Sequence, residues 1–183
     1  MVSSLIESRP CGPCVLHFCD RTGMIHIHLA TVILVVSLAW LAWTDARSFR
    51  LPDIGTLPLI VAGVVLNTLW LGTPWTSLIG AALGYGSFVA IEIGYRHLRG
   101  RDGLGRGDAK LMGAAGAWCG GWLLPLIVLI GTLGALVFIA LLALLRRRLP
   151  DGSQPWPFGP WLALGFFAGW LHRAYGPGLY PGF

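Results

Sequence analysis

From Asp53 to Glu92 the chain carries no Asp, Glu, Lys or Arg between those two residues. The same holds between Lys110 and Arg146, between Asp151 and Arg173, and over Thr22 to Thr44. No other feature limits the fold so severely. Runs of that length have no charged face to turn towards water, and about 20 consecutive apolar residues suffice to cross a bilayer core. Composition agrees. Apolar types make up 55% of the 183 residues and charged types 11%, against about 25% charged in an ordinary soluble domain. A disordered segment is excluded and a soluble globular domain is disfavoured. The chain reads as an all-α integral membrane protein.

Glycine and proline divide the runs into about six transmembrane helices. Ile25 to Thr44 is the first and Gly55 to Gly72 the second. Gly72-Thr73-Pro74 breaks the run, and Trp75 to Arg96 is the third. A turn at Cys119-Gly120-Gly121 separates a fourth span, starting near Gly107, from a fifth over Leu123 to Leu145. Phe158 to His172 is the sixth and shortest. At about 1.5 Å per residue several only just cross, so tilt or local thinning is expected.

Orientation follows from the bases. Arg47, Arg50, Arg96, Arg99, Arg101, Arg106, Lys110, Arg146, Arg147 and Arg148 all fall in alternate loops, while the loops near Thr73 and Gly120 are uncharged. That asymmetry makes the basic side cytoplasmic and puts both termini outside the cytoplasm. The formal charge of +5 is thereby explained by topology, and no nucleic-acid partner is called for. Trp43, Trp70, Trp75, Trp122, Trp156, Trp161 and Trp170 lie near span ends, as interfacial belts do.

Residues 1–23 read as a polar, irregular leader, or else as residues upstream of a true start at Met24; 24–175 form the six-span domain and 176–183 a short tail. The segment after the leader is longer than the roughly 7–15 apolar residues of a cleavable signal, so the first span reads as uncleaved. Cys11-Gly12-Pro13-Cys14 spells a C-x-x-C, but the βαβ setting that would make it a redox motif is missing, and a zinc site needs a second ligand pair. His26 and His28, two residues apart on a helix, fall on different faces. No metal or cofactor is expected.

Acids at membrane depth are functional candidates by default. Asp102 and Asp151 sit in turn sequences. Asp53, following Leu51-Pro52, reads as the N-cap of the second span. Glu92 stands four residues before Arg96 and reads as an intrahelical ion pair. Asp45 and Asp108 differ from these. Asp45 ends the first span and Asp108 opens the fourth, inside Gly105-Arg106-Gly107-Asp108. Counting crossings puts both at one membrane face and at similar depth. Gly105 and Gly107 permit close backbone approach. Two carboxyls sharing a site titrate apart, which supplies a base to activate water and an acid to protonate a leaving group. The bland alternative is a helix cap at Asp108 and an interfacial acid at Asp45.

Three stretches resemble one family. Asp45-Ala-Arg-Ser-Phe-Arg-Leu-Pro-Asp53, followed by Thr56-Leu-Pro-Leu59, Gly63 and Asn67, is similar to the first signature of the type IV prepilin leader peptidases. The stretch from Gly100 through Gly105-Arg-Gly-Asp108 to Trp118 is similar to their G-x-G-D motif and the helix after it. Pro157-Phe-Gly-Pro-Trp-Leu-Ala-Leu-Gly165 is similar to their last-span signature. The resemblance implies a membrane-embedded aspartic endopeptidase of the cytoplasmic membrane of a prokaryote. Its substrates would be prepilins or pseudopilins of pilus and type II secretion systems, cut at the cytoplasmic face after a glycine. It implies Asp45 and Asp108 as the catalytic acids, with Gly105, Gly107 and Lys110 supporting the motif. Larger members carry a cytoplasmic domain with two C-x-x-C zinc pairs and also methylate the new amino terminus. This chain resembles the short members, which implies cleavage without methylation. A rival reading, a small ion- or proton-coupled transporter, would place its acids near the midplane and show inverted repeats.

Overall fold

A computed structural model of the chain describes residues 13–48, 52–71, 74–100, 105–146 and 158–175. Those residues form six α-helices: α1 (Pro13–Ser48), α2 (Asp53–Leu71), α3 (Pro74–Arg99), α4 (Arg106–Cys119), α5 (Leu124–Arg146) and α6 (Gly159–Tyr175), with a 3₁₀ turn (Gly121–Leu123) before α5. Three segments, Ile25–Ser48, Pro74–Leu98 and Gly121–Leu145, are long and apolar enough to cross a membrane. Cys11, and with it the Cys11–Cys14 pair, lies outside the described residues, as do Arg50, Arg101, Asp102, Arg147, Arg148, Asp151 and Trp156. The stretch read as an irregular leader is helical from Pro13 onward and continuous with α1.

The chain divides into two compact units, one ending at Ile33 and one from Leu34 to Phe183. The first contributes the opening part of α1, where the Thr31 hydroxyl donates to the Ile27 carbonyl at 2.8 Å, as β-hydroxyl side chains do within apolar helices.

In the second unit, direction is read from pairs of contacts. Asp53 at the start of α2 meets Lys110 near the start of α4, and Asn67 further along α2 bonds the Ala117 carbonyl near the end of α4. These helices run parallel. Gly80 near the start of α3 lies against Gly116, while Glu92 further along reaches Arg106 at the start of α4, so α3 is antiparallel to α4. Arg173 at the end of α6 bonds the Trp118 carbonyl, which makes α6 parallel to α4. Gly131 and Gly165 bring α5 and α6 together as an antiparallel pair. The end of α1 touches the starts of α2 and α6, through Gly55 and Gly159.

The hub is α4. It packs against α2, α3, α5 and α6, and Asp108, Ala109 and all of Leu111–Cys119 are buried. Its sequence explains this position. Gly113, Ala114, Ala115, Gly116 and Ala117 have almost no side chains, so neighbouring backbones come close, which is how helices associate where no hydrophobic effect drives them. A Cβ on Gly116 would press into the Gly80 carbonyl, and one on Gly84 into the Met112 carbonyl. We expect Gly116→Val to destabilise the protein by at least about 1–3 kcal/mol. A fall in the melting temperature of the detergent-extracted protein checks this; an unchanged melting temperature would mean the helices are not held so closely.

The fourth segment is as short as the sequence implies: 14 residues at 1.5 Å each reach about 21 Å, against a hydrocarbon core of about 30 Å. Burial among other helices makes a short α4 possible. Trp170, read as part of an interfacial belt, is buried instead and meets Trp118 edge-on, with ring centroids 5.2 Å apart. Trp43, Trp75 and Trp122 do face outward.

Candidate functional site

Alternating helix directions gather the end of α1, the far part of α3 and the starts of α2, α4 and α6 at one end of the bundle. Asp45, Asp53, Glu92, Arg106, Asp108, Lys110 and Gly159 all belong to that end. Asp45 is 6% exposed and Asp108 9%, so both carboxyls are nearly withdrawn from solvent. They lie within electrostatic reach of each other. Burial and a like charge nearby both work against having the two carboxyls ionised at once.

Asp45 comes from the last turns of α1. Its Oδ2 accepts a hydrogen bond from the Gly159 backbone N–H at 3.1 Å. A Cβ on Gly159 would fall 2.5 Å from that same oxygen, closer than atoms approach, so a side chain here would displace the Asp45 carboxyl. Asp108 sits in the first turn of α4. Gly105 is the N-cap residue, with extended backbone and no side-chain cap, and its carbonyl accepts from the Asp108 N–H at 3.0 Å. Asp108 therefore does not cap α4, and its carboxyl is left for other work. The glycine predicted to allow close approach is used here differently: Gly105 has φ −72, open to any residue, and the contact that a side chain would disturb is at Gly159.

Two ion pairs flank the acids. Lys110 Nζ bonds Asp53 Oδ1 and ties α4 to α2. Asp53 is thus not the N-cap of α2: the Pro52 carbonyl accepts from Gly55 and Thr56, and Asp53 begins the helix proper. Arg106 Nε lies 3.4 Å from Glu92 Oε1 and ties α4 to α3. The i,i+4 spacing points Glu92 to Arg96 within its own helix; across helices it pairs with Arg106, brought near because α3 and α4 run antiparallel.

At the opposite end of α4 is a polar network that the sequence reading missed. The Arg173 guanidinium donates to the Trp118 carbonyl at 2.6 Å and to Asn67 Oδ1 at 2.9 Å. Asn67 Nδ2 donates to the Ala117 carbonyl at 2.7 Å. The Trp118 indole N–H reaches the Leu59 carbonyl at 2.8 Å, over the space left by Gly63. A helix that stops inside a bundle leaves its last carbonyls without partners. Arg173 and Asn67 supply those partners, and the cation complements the helix dipole. Gly120, with φ 80, then reverses the chain. A usable signal did exist: Arg173 is a base at the end of the run that sequence topology puts on the uncharged side.

The model of the type IV leader peptidase family matches residues 32–143, a stretch that holds both Asp45 and Asp108. The chain belongs to the type IV leader peptidase family. A prepilin leader peptidase/N-methyltransferase of Pseudomonas aeruginosa is 36% identical over 199 aligned residues, covering 96% of this chain and 66% of that protein. One from Aeromonas salmonicida is 38% identical over 149 residues, 81% of this chain and 50% of the relative. The leader peptidase HopD of Salmonella typhimurium is 41% identical over 128 residues, 69% of this chain and 82% of the relative. The chain thus spans about half the length of several curated relatives it matches. No solved structure matches it. The matched stretch also holds Gly105-Arg-Gly-Asp108, in which Arg106 is held by Glu92.

Proposed function

We propose that this chain is a membrane-embedded aspartic endopeptidase that removes the leader from type IV prepilin-like proteins, with Asp45 and Asp108 as its catalytic pair. One observation carries the reading. Two acids from distant parts of the sequence lie buried and within electrostatic reach of each other at one end of the bundle, inside the segment that matches the family. Water activated by one carboxyl attacks the scissile carbonyl, and the other carboxyl protonates the leaving nitrogen. Lys110 and Arg106 hold the start of α4 against α2 and α3 and so keep Asp108 in register with Asp45. The chemistry asks for no cofactor. The test is co-expression with candidate prepilins or pseudopilins and amino-terminal sequencing of the product. Cleavage after a glycine at the end of a short basic leader is expected. Unprocessed substrate beside well-inserted enzyme would refute the reading.

The same proposal has six helices in the cytoplasmic membrane of a prokaryote, the Asp45 end facing the cytoplasm and both termini outside it. Its support is the gathering of Arg47, Arg96, Arg106 and Lys110 at that end. A single cysteine at Leu98, an exposed position near the end of α3, should be shielded from impermeant thiol reagents in intact cells and labelled once the membrane is opened. Labelling in intact cells would invert the topology.

A further inference from the structure

We infer that the Gly159 backbone amide, at the start of α6, fixes Asp45 as the ionised member of the acid pair, which makes Asp45 the base and Asp108 the proton donor. The inference rests on reading the two acids as a catalytic pair, and goes beyond it by dividing their roles. Gly159 is then a positioning residue.

The asymmetry is visible in the donors. Asp45 Oδ2 accepts from the Gly159 N–H at 3.1 Å. An N–H that donates to a carboxyl oxygen favours the charged form, and the first amides of a helix carry its positive end. Among the described residues, no hydrogen-bond donor reaches the Asp108 carboxyl, although that carboxyl also lies near a helix start. Three of the described side-chain cations at this end are engaged elsewhere. Lys110 is engaged with Asp53, Arg106 with Glu92, and Arg47 lies over the Trp43 ring at 4.3 Å. Asp45 thus draws its support from backbone, which holds one geometry and does not titrate. The absence of a side chain at 159 is what allows it: a Cβ there would fall 2.5 Å from Oδ2 and 2.8 Å from Cγ, pushing the carboxylate off the amide.

The reaction then runs in one direction. A water gives a proton to Asp45 while its oxygen bonds the peptide carbonyl carbon. The carbon–nitrogen bond breaks as Asp108 passes its proton to the nitrogen. The proton on Asp45 returns to Asp108, and the pair is as it began.

The experiment has two arms. Gly159→Ala, checked for membrane level, should lower kcat for prepilin cleavage about 100-fold or more, in the range of acid–base terms. KM should stay within about threefold, because contacts to the rest of the substrate are untouched. The second arm does not depend on that variant folding. Infrared spectra of purified Asp45→Asn and Asp108→Asn proteins are each compared with the double variant near pH 7. A protonated-carboxyl band should be present in Asp45→Asn and absent from Asp108→Asn. A kcat within about threefold of wild type in Gly159→Ala, or the band appearing in Asp108→Asn but not in Asp45→Asn, overturns the assignment. Normal cleavage by the Asn variants themselves would instead remove the catalytic pair on which it stands.

Discussion

Asparagine in place of either Asp45 or Asp108 is expected to abolish leader cleavage nearly completely, with the protein still present in the membrane at normal levels. Asn keeps the shape of Asp and removes its capacity to take up or give a proton. General acid–base participation is worth about 10² to 10⁴ in rate, and partners that act as one unit lose activity non-additively. The double variant should therefore be little worse than either single one. Asp53→Asn is the informative comparison. Asp53 is exposed, pairs with Lys110 at the rim and does not belong to the buried pair. Asn can still accept from Lys110, and an exposed ion pair contributes about 1 kcal/mol or less, so cleavage should stay within a few-fold. Metal chelators and thiol reagents should leave the extracted enzyme active. A gel-shift assay on a prepilin decides. Near-normal cleavage by either Asn variant, or complete inhibition by a chelator, would end the aspartic-peptidase reading.

Arg173→Met should produce the largest loss of stability of any single change at the α4 terminus. The substitution keeps the apolar stem and deletes the guanidinium. The Trp118 carbonyl and Asn67 Oδ1 then lose a charged donor inside the bundle. Hydrogen bonds to charged groups contribute about 1.5–3 kcal/mol each, so a loss of about 3–5 kcal/mol is expected. For a chain of this size that corresponds to a drop in melting temperature on the order of 10 °C. Tryptophan fluorescence is a suited probe, since Trp118 and Trp170 pack at the site of the change. Asn67→Leu should couple with it, the double variant falling short of the sum, because both side chains serve the same carbonyls. A melting temperature within about 2 °C of wild type would show that the terminus of α4 is satisfied some other way.

Much of this protein is legible along the chain. Charge-free runs separated by glycine and proline determine six helices to within a few residues at most ends, because a polar group in hydrocarbon is costly enough to leave a clear mark on composition. Parity of crossings is equally local information, and it brings Asp45 and Asp108 to one end before any contact is known. The family signatures are contiguous and are read the same way.

Other features exist only in three dimensions. That α4 is a buried hub follows from Gly80 and Gly84 of α3 lying against Gly116 and Met112 of α4, and glycine spacing within one helix does not say which partner it will meet. Trp170 has an interfacial residue's sequence context and a core residue's surroundings, since an amphipathic ring satisfies either. Glu92 and Asp53 each have a plausible partner close in sequence, yet Arg106 and Lys110 reach them from another helix. The contact between Gly159 and Asp45 depends on where α6 starts relative to the last turns of α1. Neither residue carries any sign of the other. Local propensity and hydropathy decide which segments are helices; close approach of backbones, which requires both partners at once, decides what those helices hold between them.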